Sequence, residues 1–345
     1  MREAAQGMFD FRGVRRGPVL RMARLRALLG ASDEAREIGK AAFPNESERV
    51  ASAAAEIVRG KVAKADAVAV WNGSRDVALA AVRAARSLGK PVAYVENGFL
   101  PGTVQIDLQG VNFESSLAAL TPEDIRSMEL PASAFEAAKR IEYRQRPLGR
   151  DTGLADSPLP PPEDLPAGFV LFAAQVHDDS QILRFSPDFR SMDAAIRYVA
   201  EESAAAGMAM VVKEHPSDHG RVDYEPLKAS LPDVRFVQKA DNAALIQMCG
   251  AFVTVNSSMG LQAVDAGKPV FTLGDAAYNL AEIAHRVRPP ERLRDALQKP
   301  SFDEDLRRRY LAFLAGTALV PYRSRMPTDV DLRGVMKRMA ELLCA

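Results

Sequence analysis

The sequence predicts an α/β protein built from two doubly wound domains. Three observations predict it. Short apolar runs of strand length alternate with longer helical segments through most of the chain. That rhythm is broken once, over residues 151–168, where five prolines exclude a regular helix or a central strand. The total length, 345 residues, favours two domains over one. The expected layout is an N-terminal Rossmann-like domain over 1–150, a proline-rich linker over 151–168, a C-terminal nucleotide-binding domain over 169–320 and a helical tail over 321–345.

The first forty residues fit that scheme least, because no convincing opening strand is visible. Instead Arg12, Arg15, Arg16, Arg21, Arg24 and Arg26 interleave with Val19, Leu20, Met22, Leu25, Leu28 and Leu29. If helical, the stretch from Pro18 onward is basic and amphipathic. Two readings stand: a surface helix packed on the first domain, or contact with an anionic membrane surface. Strands follow at Ala67–Trp71 and Val92–Val95, with a helix between them at Val77–Leu88. After the linker, strands are expected at Phe169–Ala173, Met208–Lys213, Val234–Val237, Phe252–Val255 and Val270–Leu273. Helices fall at Ser191–Ala205, Ala243–Met248, Ser258–Ala266, Phe302–Leu314 and Val330–Leu343. In such a fold the ligand cleft lies between the domains.

Composition excludes several classes. Lys plus Arg and Asp plus Glu are 45 each, so there is no global basic bias toward nucleic acid. Cys249 and Cys344 have no metal or redox spacing. No apolar run approaches the ~18 residues of a membrane span, and the basic N-terminus lacks the apolar core of a secretory signal.

The densest signal is Phe252 to Gly274. An apolar strand stops at Asn256-Ser257-Ser258, residues suited to capping, and the helix that follows begins with free backbone N–H groups. Gly267 suits the C-terminal end of that helix, and Lys268-Pro269 leads into the next strand. Polar groups at the carboxyl end of a strand, beside a helix start, suit a phosphate-bearing ligand.

Three other strand ends carry reactive groups. Glu96 ends a strand and meets the loop Asn97-Gly98-Phe99-Leu100-Pro101-Gly102, where it could act as acid or base or satisfy loop N–H groups. Gln175-Val176-His177-Asp178-Asp179-Ser180-Gln181 follows the first strand of the second domain. Its carboxylates could face an oxocarbenium-like centre or simply lead a helix. Lys213-Glu214-His215-Pro216 ends a third strand, and Lys213 or His215 could bind a phosphate.

Other motifs are absent or weak. No Gly-x-Gly-x-x-Gly follows a strand and there is no Walker loop. His177, His215, His219 and His285 lack metal-site spacing, since Pro216 interrupts the pair His215 and His219. Asp329-Val330-Asp331 resembles a metal-binding Asp-x-Asp, but at a helix start it reads better as capping. Arg307, Arg308 and Arg309 read as a solvated basic face.

Taken in order, Trp71-Asn72-Gly73, Glu96-Asn97-Gly98-Phe99, Gln175 with Asp178-Asp179-Ser180-Gln181, Glu214-His215-Pro216, and Asn256 through Gly274 with Tyr278 resemble one family. It is the capsule polysaccharide synthesis family of bacterial β-Kdo transferases, the KpsS/KpsC type. The resemblance implies a GT-B fold and a CMP-Kdo donor used without a metal or other cofactor. It implies catalytic roles for Glu96 on the acceptor side, Asp178 or Asp179 near the anomeric carbon, and His215 at the donor phosphate. Gln175, Lys213, Glu214, Pro216, Asn256, Ser257, Ser258 and Gly260 would line the donor. The implied acceptor is a lipid or glycolipid at the cytoplasmic face of the inner membrane. Two alternatives remain open at this stage: a UDP-sugar 2-epimerase-like enzyme, and a degenerate GT-B module that binds a nucleotide or partner without catalysis.

Overall fold

The computed structural model describes residues 8–10, 15–26, 30–143, 160–176, 180–218, 221–322 and 329–344. His177, Asp178, Asp179 and His219 lie outside the described residues. In chain order the first elements are β1 (Met8–Asp10), α1 (Arg16–Arg26), α2 (Asp33–Ala42), α3 (Glu48–Val62), β2 (Ala67–Trp71), α4 (Asp76–Ser87), β3 (Val92–Asn97), β4 (Thr103–Asp107), α5 (Pro122–Ser127) and α6 (Ala132–Lys139). Next come β5 (Val170–Ala173), α7 (Ser180–Phe185), α8 (Met192–Ala205), β6 (Met210–Lys213), α9 (Glu225–Ser230), β7 (Arg235–Val237), α10 (Asn242–Met248) and β8 (Ala251–Thr254). The chain closes with α11 (Met259–Asp265), β9 (Val270–Thr272), β10 (His285–Arg286), α12 (Leu293–Gln298), α13 (Glu304–Phe313), β11 (Leu319–Pro321) and α14 (Asp329–Leu343).

Two compact units result: Met1–Ser116 with Ala318–Ala345, and Leu117–Thr317. This corrects the expected division at 150, the 151–168 linker and the separate tail from 321. The boundary is set by contacts distant in sequence. Arg309 on α13 donates to the carbonyls of Ile125 (3.2 Å), Arg126 (3.1 Å) and Met128 (2.6 Å), which ties α5 and its exit to the second unit. A Cβ on Gly316 would lie 2.4 Å from that of Ala134, so the turn after α13 runs tightly against α6. The last strand, β11, then pairs with β4 in the first unit.

The first unit holds a five-stranded sheet in the order β1-β2-β3-β4-β11. β1, β2 and β3 are parallel; β4 and β11 are antiparallel to their neighbours. The opening strand that the sequence hides is therefore present, three residues long and at the sheet edge. The switch to antiparallel pairing follows from the loop after β3. Gly98 N–H donates to Thr103 O at 2.9 Å, and Gly102 sits at φ +68°. A Cβ on Gly98 would meet Thr103 Oγ1 at 2.0 Å, so only glycine lets the chain reverse here. So short a connection makes a hairpin; a parallel return needs a crossover of a dozen residues or more.

Strand side chains alternate between two cores. Val68, Val70, Val92 and Tyr94 pack with α1 to α4. Ala69, Ala93, Val95, Val104 and Ile106 pack with Tyr322 and Met339 on the other face. Helix α1 buries Val19, Leu20 and Ala23 in the first core, and Arg16 reaches Glu46 (3.4 Å) and Asp76 (3.3 Å). The packed-helix reading describes this segment; its apolar face meets the unit's own core, with Arg21, Met22 and Arg24 outside.

The second unit holds a six-stranded, wholly parallel sheet in the order β10-β9-β8-β5-β6-β7. Its central strands are fully buried, as their continuous apolar sequences require. The basic run on α13 is not a solvated face. Arg307 is buried, donates twice to Ile283 O (3.0 and 2.9 Å), and lies 4.1 Å over the Phe302 ring. Arg309 serves the carbonyls described above, and only Arg308 points outward, to Asp305. Asp331 is likewise buried in the first turn of α14, which removes it from any exposed Asp-x-Asp site.

Candidate functional site

In the second sheet the chain winds outward from β5 through β6 to β7, then returns to β8 and winds the other way. The order reverses between β5 and β8, and a doubly wound sheet opens its ligand crevice beyond the carboxyl ends of the strands at that point. Gln175 follows β5 and Asn256 follows β8, so both stand at the reversal. Gln175 Nε2 donates to Asn256 Oδ1 at 2.9 Å, and Asn256 N–H donates back to Gln175 Oε1 at 2.9 Å. Thr254 Oγ1 donates to Ala173 O at 3.1 Å and reaches Gln175 Oε1 at 3.3 Å. Both amides are buried and their orientations are fixed by one another. They form an uncharged floor that pins the two strand exits together.

Asn256 Nδ2 donates onward to Asp275 O at 3.4 Å, in the loop after β9. Asp275 Oδ1 accepts from Arg286 Nε (3.1 Å) and Arg288 Nη2 (2.9 Å). Sequence reasoning missed this ion cluster, because its members are far apart in the chain.

Beyond β8 the cap is Ser257. Its Oγ accepts from Met259 N–H at 3.2 Å, whereas Ser258 has helical φ and ψ and no capping bond. Gly260 is explained by packing. A Cβ there would come within 2.3 Å of the Tyr278 hydroxyl and 2.8 Å of its ring carbon, and that buried hydroxyl donates to Ser257 O. The expected donor contact at Gly260 gives way to a tyrosine seated against the helix.

The strand β6 brings Lys213, Glu214 and His215 to the same edge but turns them apart. Lys213 is buried, and its Nζ donates to Glu214 O (2.9 Å) and Gln238 O (3.0 Å). Burial pulls its ammonium down to about 8, partly opposed by the neighbouring Glu214 carboxylate. Glu214 is buried too and pairs with Lys228 Nζ at 3.1 Å. Lys213 and Glu214 therefore join the exits of β6 and β7 and hold α9; they are not turned out as donor ligands. His215 is half-buried, and its Nδ1 accepts from Ser217 N–H at 3.1 Å. That bond assigns the neutral ring's proton to Nε2, which makes Nε2–H the donor. Pro216 opens the 3₁₀ turn Pro216–Asp218 that supplies the Ser217 N–H.

A cavity of about 520 Å³ opens in the second unit between the first turn of α8 and residues 221–227. Arg190, Ser191, Arg221, Asp223 and Tyr224 line it. Arg190 immediately precedes the cap Ser191, whose Oγ accepts from Ala194 N–H at 3.4 Å. Neither arginine was singled out from the sequence. The available signal was a basic residue directly before a helix cap, and another shortly after the His-Pro pair.

In the first unit, Glu96 lies at the end of β3. Its Oε2 accepts from Asn72 Nδ2 (2.7 Å), and its Oε1 from Asn97 N–H (2.7 Å) and Asn97 Nδ2 (3.2 Å). Asn72 adopts φ +62° and its Oδ1 accepts from Ser74 N–H at 3.2 Å, so the turn after β2 aims the amide at the carboxylate. Opposite Glu96 in the antiparallel register is Gln105, buried, with Oε1 accepting from Asn112 N–H at 3.2 Å. The carboxylate is thus held by neutral donors, not by a cation, among the described residues.

Comparison with known proteins bears on this edge directly. The model of the capsule polysaccharide biosynthesis protein family matches residues 136–322, which contain the switch point, the His-Pro turn and the cavity. The chain belongs to that family. Protein FixF of Sinorhizobium fredii is 31% identical over 261 residues, 73% of this chain and 60% of FixF. The capsule polysaccharide export protein KpsS of Escherichia coli is 28% identical over 132 residues, 36% of this chain and 34% of KpsS. The chain therefore spans less than two thirds of these relatives' length. Among solved structures, the KpsC beta Kdo 2,4 transferase of Thermosulfurimonas dismutans matches with a TM-score of 0.52 at 19% identity, covering 80% of this chain and 88% of that one. The fold is accordingly GT-B-like, with two α/β units that each carry their own sheet.

Proposed function

We propose that this capsule polysaccharide family member is a glycosyltransferase that moves Kdo from CMP-Kdo to a lipid or glycolipid acceptor without a metal. The observation that carries the reading is the edge of the second sheet. An uncharged amide floor stands at the switch point, His215 follows β6 in the same sheet with its Nδ1 accepting from Ser217 N–H, and the same unit holds a cavity lined by Arg190 and Arg221. CMP carries a single phosphate, so a few donors suffice for it and a Walker loop is not needed.

The chemistry runs as one substitution at the anomeric carbon. The bond from that carbon to the phosphate oxygen breaks, and the electron pair leaves with CMP. His215 Nε2–H donates to the departing phosphate, while Arg190 and Arg221 balance its charge. Glu96 takes the proton from the acceptor hydroxyl as the new glycosidic bond forms. Asp178 or Asp179 would stabilise the cationic sugar. Lys213 and Glu214 contribute by fixing the turn that carries His215.

Thermal-shift measurements with CMP, UDP, GDP and ADP, each with and without EDTA, test the donor class. A ligand that binds only the native state raises its melting temperature. CMP alone should raise it, with EDTA making no difference, and His215→Ala should remove most of the rise. A shift with UDP instead overturns the donor assignment. CMP binding without product from CMP-Kdo and a lipid acceptor would make the chain a nucleotide-binding module.

A further inference from the structure

We propose that the outer face of α14 docks the first unit onto an anionic lipid surface. The proposal does not depend on the donor or on catalysis. Six large hydrophobic side chains are exposed among the described residues, and three of them, Val330 (68%), Leu332 (45%) and Met336 (41%), lie on this one helix. Leu332 and Met336 are four apart and share a face; Arg333 and Lys337 repeat the same spacing beside them. Both basic residues are exposed. Arg333 has no ion-pair or hydrogen-bond partner among the described residues, and Lys337 has only Glu341, at 3.8 Å. The opposite side of the helix buries Asp331 and Met339, with Met339 packed in the core that lines β3 and β4. The helix is thus held firmly on one side and shows an apolar and basic stripe on the other.

Charge and size together select the occupant. A stable protein interface buries roughly 800 Å² per partner, far more than three side chains supply. An interfacial helix needs only a few apolar side chains reaching the acyl boundary, with Lys and Arg beside them at the headgroups. The stripe has that composition at its centre, where Arg333 and Lys337 stand together, with Asp329 and Glu341 at the two ends of the same row. α1 offers a weaker candidate, because its Val19, Leu20 and Ala23 are already buried. The proposal therefore sets lipid contact on the C-terminal helix instead of on the N-terminal segment.

Flotation of the full chain with vesicles tests this, using phosphatidylcholine alone or with about one third phosphatidylglycerol. No nucleotide sugar is present, so the result is independent of sugar transfer. The chain should float with the anionic vesicles and not the neutral ones, and high salt should release it. The pair Arg333→Gln with Lys337→Gln should lower the partition coefficient by about fivefold per charge, roughly 25-fold together. Leu332→Ser with Met336→Ser should weaken it independently; the charge pair should leave the melting temperature unchanged, and the serine pair should lower it only slightly, since these side chains are 45% and 41% exposed. The pair Arg21→Gln with Arg24→Gln on α1 serves as the comparison. Loss of flotation in the α1 pair but not the α14 pairs would overturn the proposal. So would absence of flotation in the unaltered chain, or sedimentation showing a dimer that the α14 substitutions dissociate.

Discussion

Replacing Lys213 by methionine should abolish a specific pH dependence of stability. Lys213 has a folded pKa of about 8 against an ordinary value of 10.5. The depressed value means that the unfolded chain binds more protons than the folded one between those limits, so stability rises with pH there. Below pH 8 the lysine is charged in both states and contributes a constant penalty. Between pH 8 and 9.5 the penalty falls by about 1–2 kcal/mol, from the two-state proton-binding expression with those pKa values. Cys249, whose thiol burial pushes up to about 11 from an ordinary 9, opposes this rise from about pH 9, and the buried tyrosines Tyr278 and Tyr310 oppose it above pH 10, so the effect is read up to pH 9.5 as the difference between the two proteins. Lys213→Met leaves Glu214 O and Gln238 O without this donor and lowers the baseline, but it removes the lysine's contribution to the slope. Urea unfolding by far-UV circular dichroism at several pH values is the assay. Tryptophan fluorescence would mislead, because the single tryptophan, Trp71, lies in the other unit. Equal rises in both proteins, within a few tenths of a kcal/mol, would show that Lys213 is not buried as a charged group.

Glu96→Gln should lower turnover by roughly 100-fold or more while leaving the CMP-induced thermal shift unchanged, because Glu96 belongs to the other unit from the nucleotide edge. Undiminished turnover would remove it as the base. Gly260→Ala should destabilise by about 1–3 kcal/mol, since its Cβ would strike the Tyr278 hydroxyl. Tyr278→Phe should cost about 1 kcal/mol alone, by loss of its bond to Ser257 O, and much less in the alanine background. Strict additivity in that double-mutant cycle would mean that the two residues do not compete for space.

The sheet of the second unit was legible because each buried parallel strand is a continuous apolar run, and Val170–Ala173, Met210–Lys213, Arg235–Val237, Ala251–Thr254 and Val270–Thr272 all fall within two residues of where such runs place them. β4 was overlooked although Thr103-Val104-Gln105-Ile106-Asp107 alternates cleanly, because the glycines and proline before it read as loop. β1 and β11 are three residues each and too short to show any period. The unit boundary was invisible for a different reason: it depends on Arg309 reaching carbonyls more than 180 positions away. Strand ends brought Lys213, Glu214 and His215 to one sheet edge, as the sequence pattern implies. They did not say which way each side chain turns, and that separates Lys213 and Glu214 from His215.

That last failure has one physical cause across the second unit. Its basic side chains are repeatedly used on backbone carbonyls that secondary structure leaves open. Lys213 takes Glu214 O and Gln238 O at two strand exits; Lys268 takes Gln247 O (2.7 Å) and Cys249 O (3.0 Å) at the end of α10. Arg307 takes Ile283 O, and Arg309 takes three carbonyls around the end of α5. A carbonyl left unpaired in the interior is costly, and a cation that reaches two of them offsets its own desolvation as well. A cation so held is turned away from solvent and cannot also meet a phosphate. Counting Lys and Arg near strand ends therefore overstates the positive charge available to an anionic donor. Arg190 and Arg221, which line the cavity of the second unit, are therefore the basic side chains whose replacement tests the proposed donor site most directly.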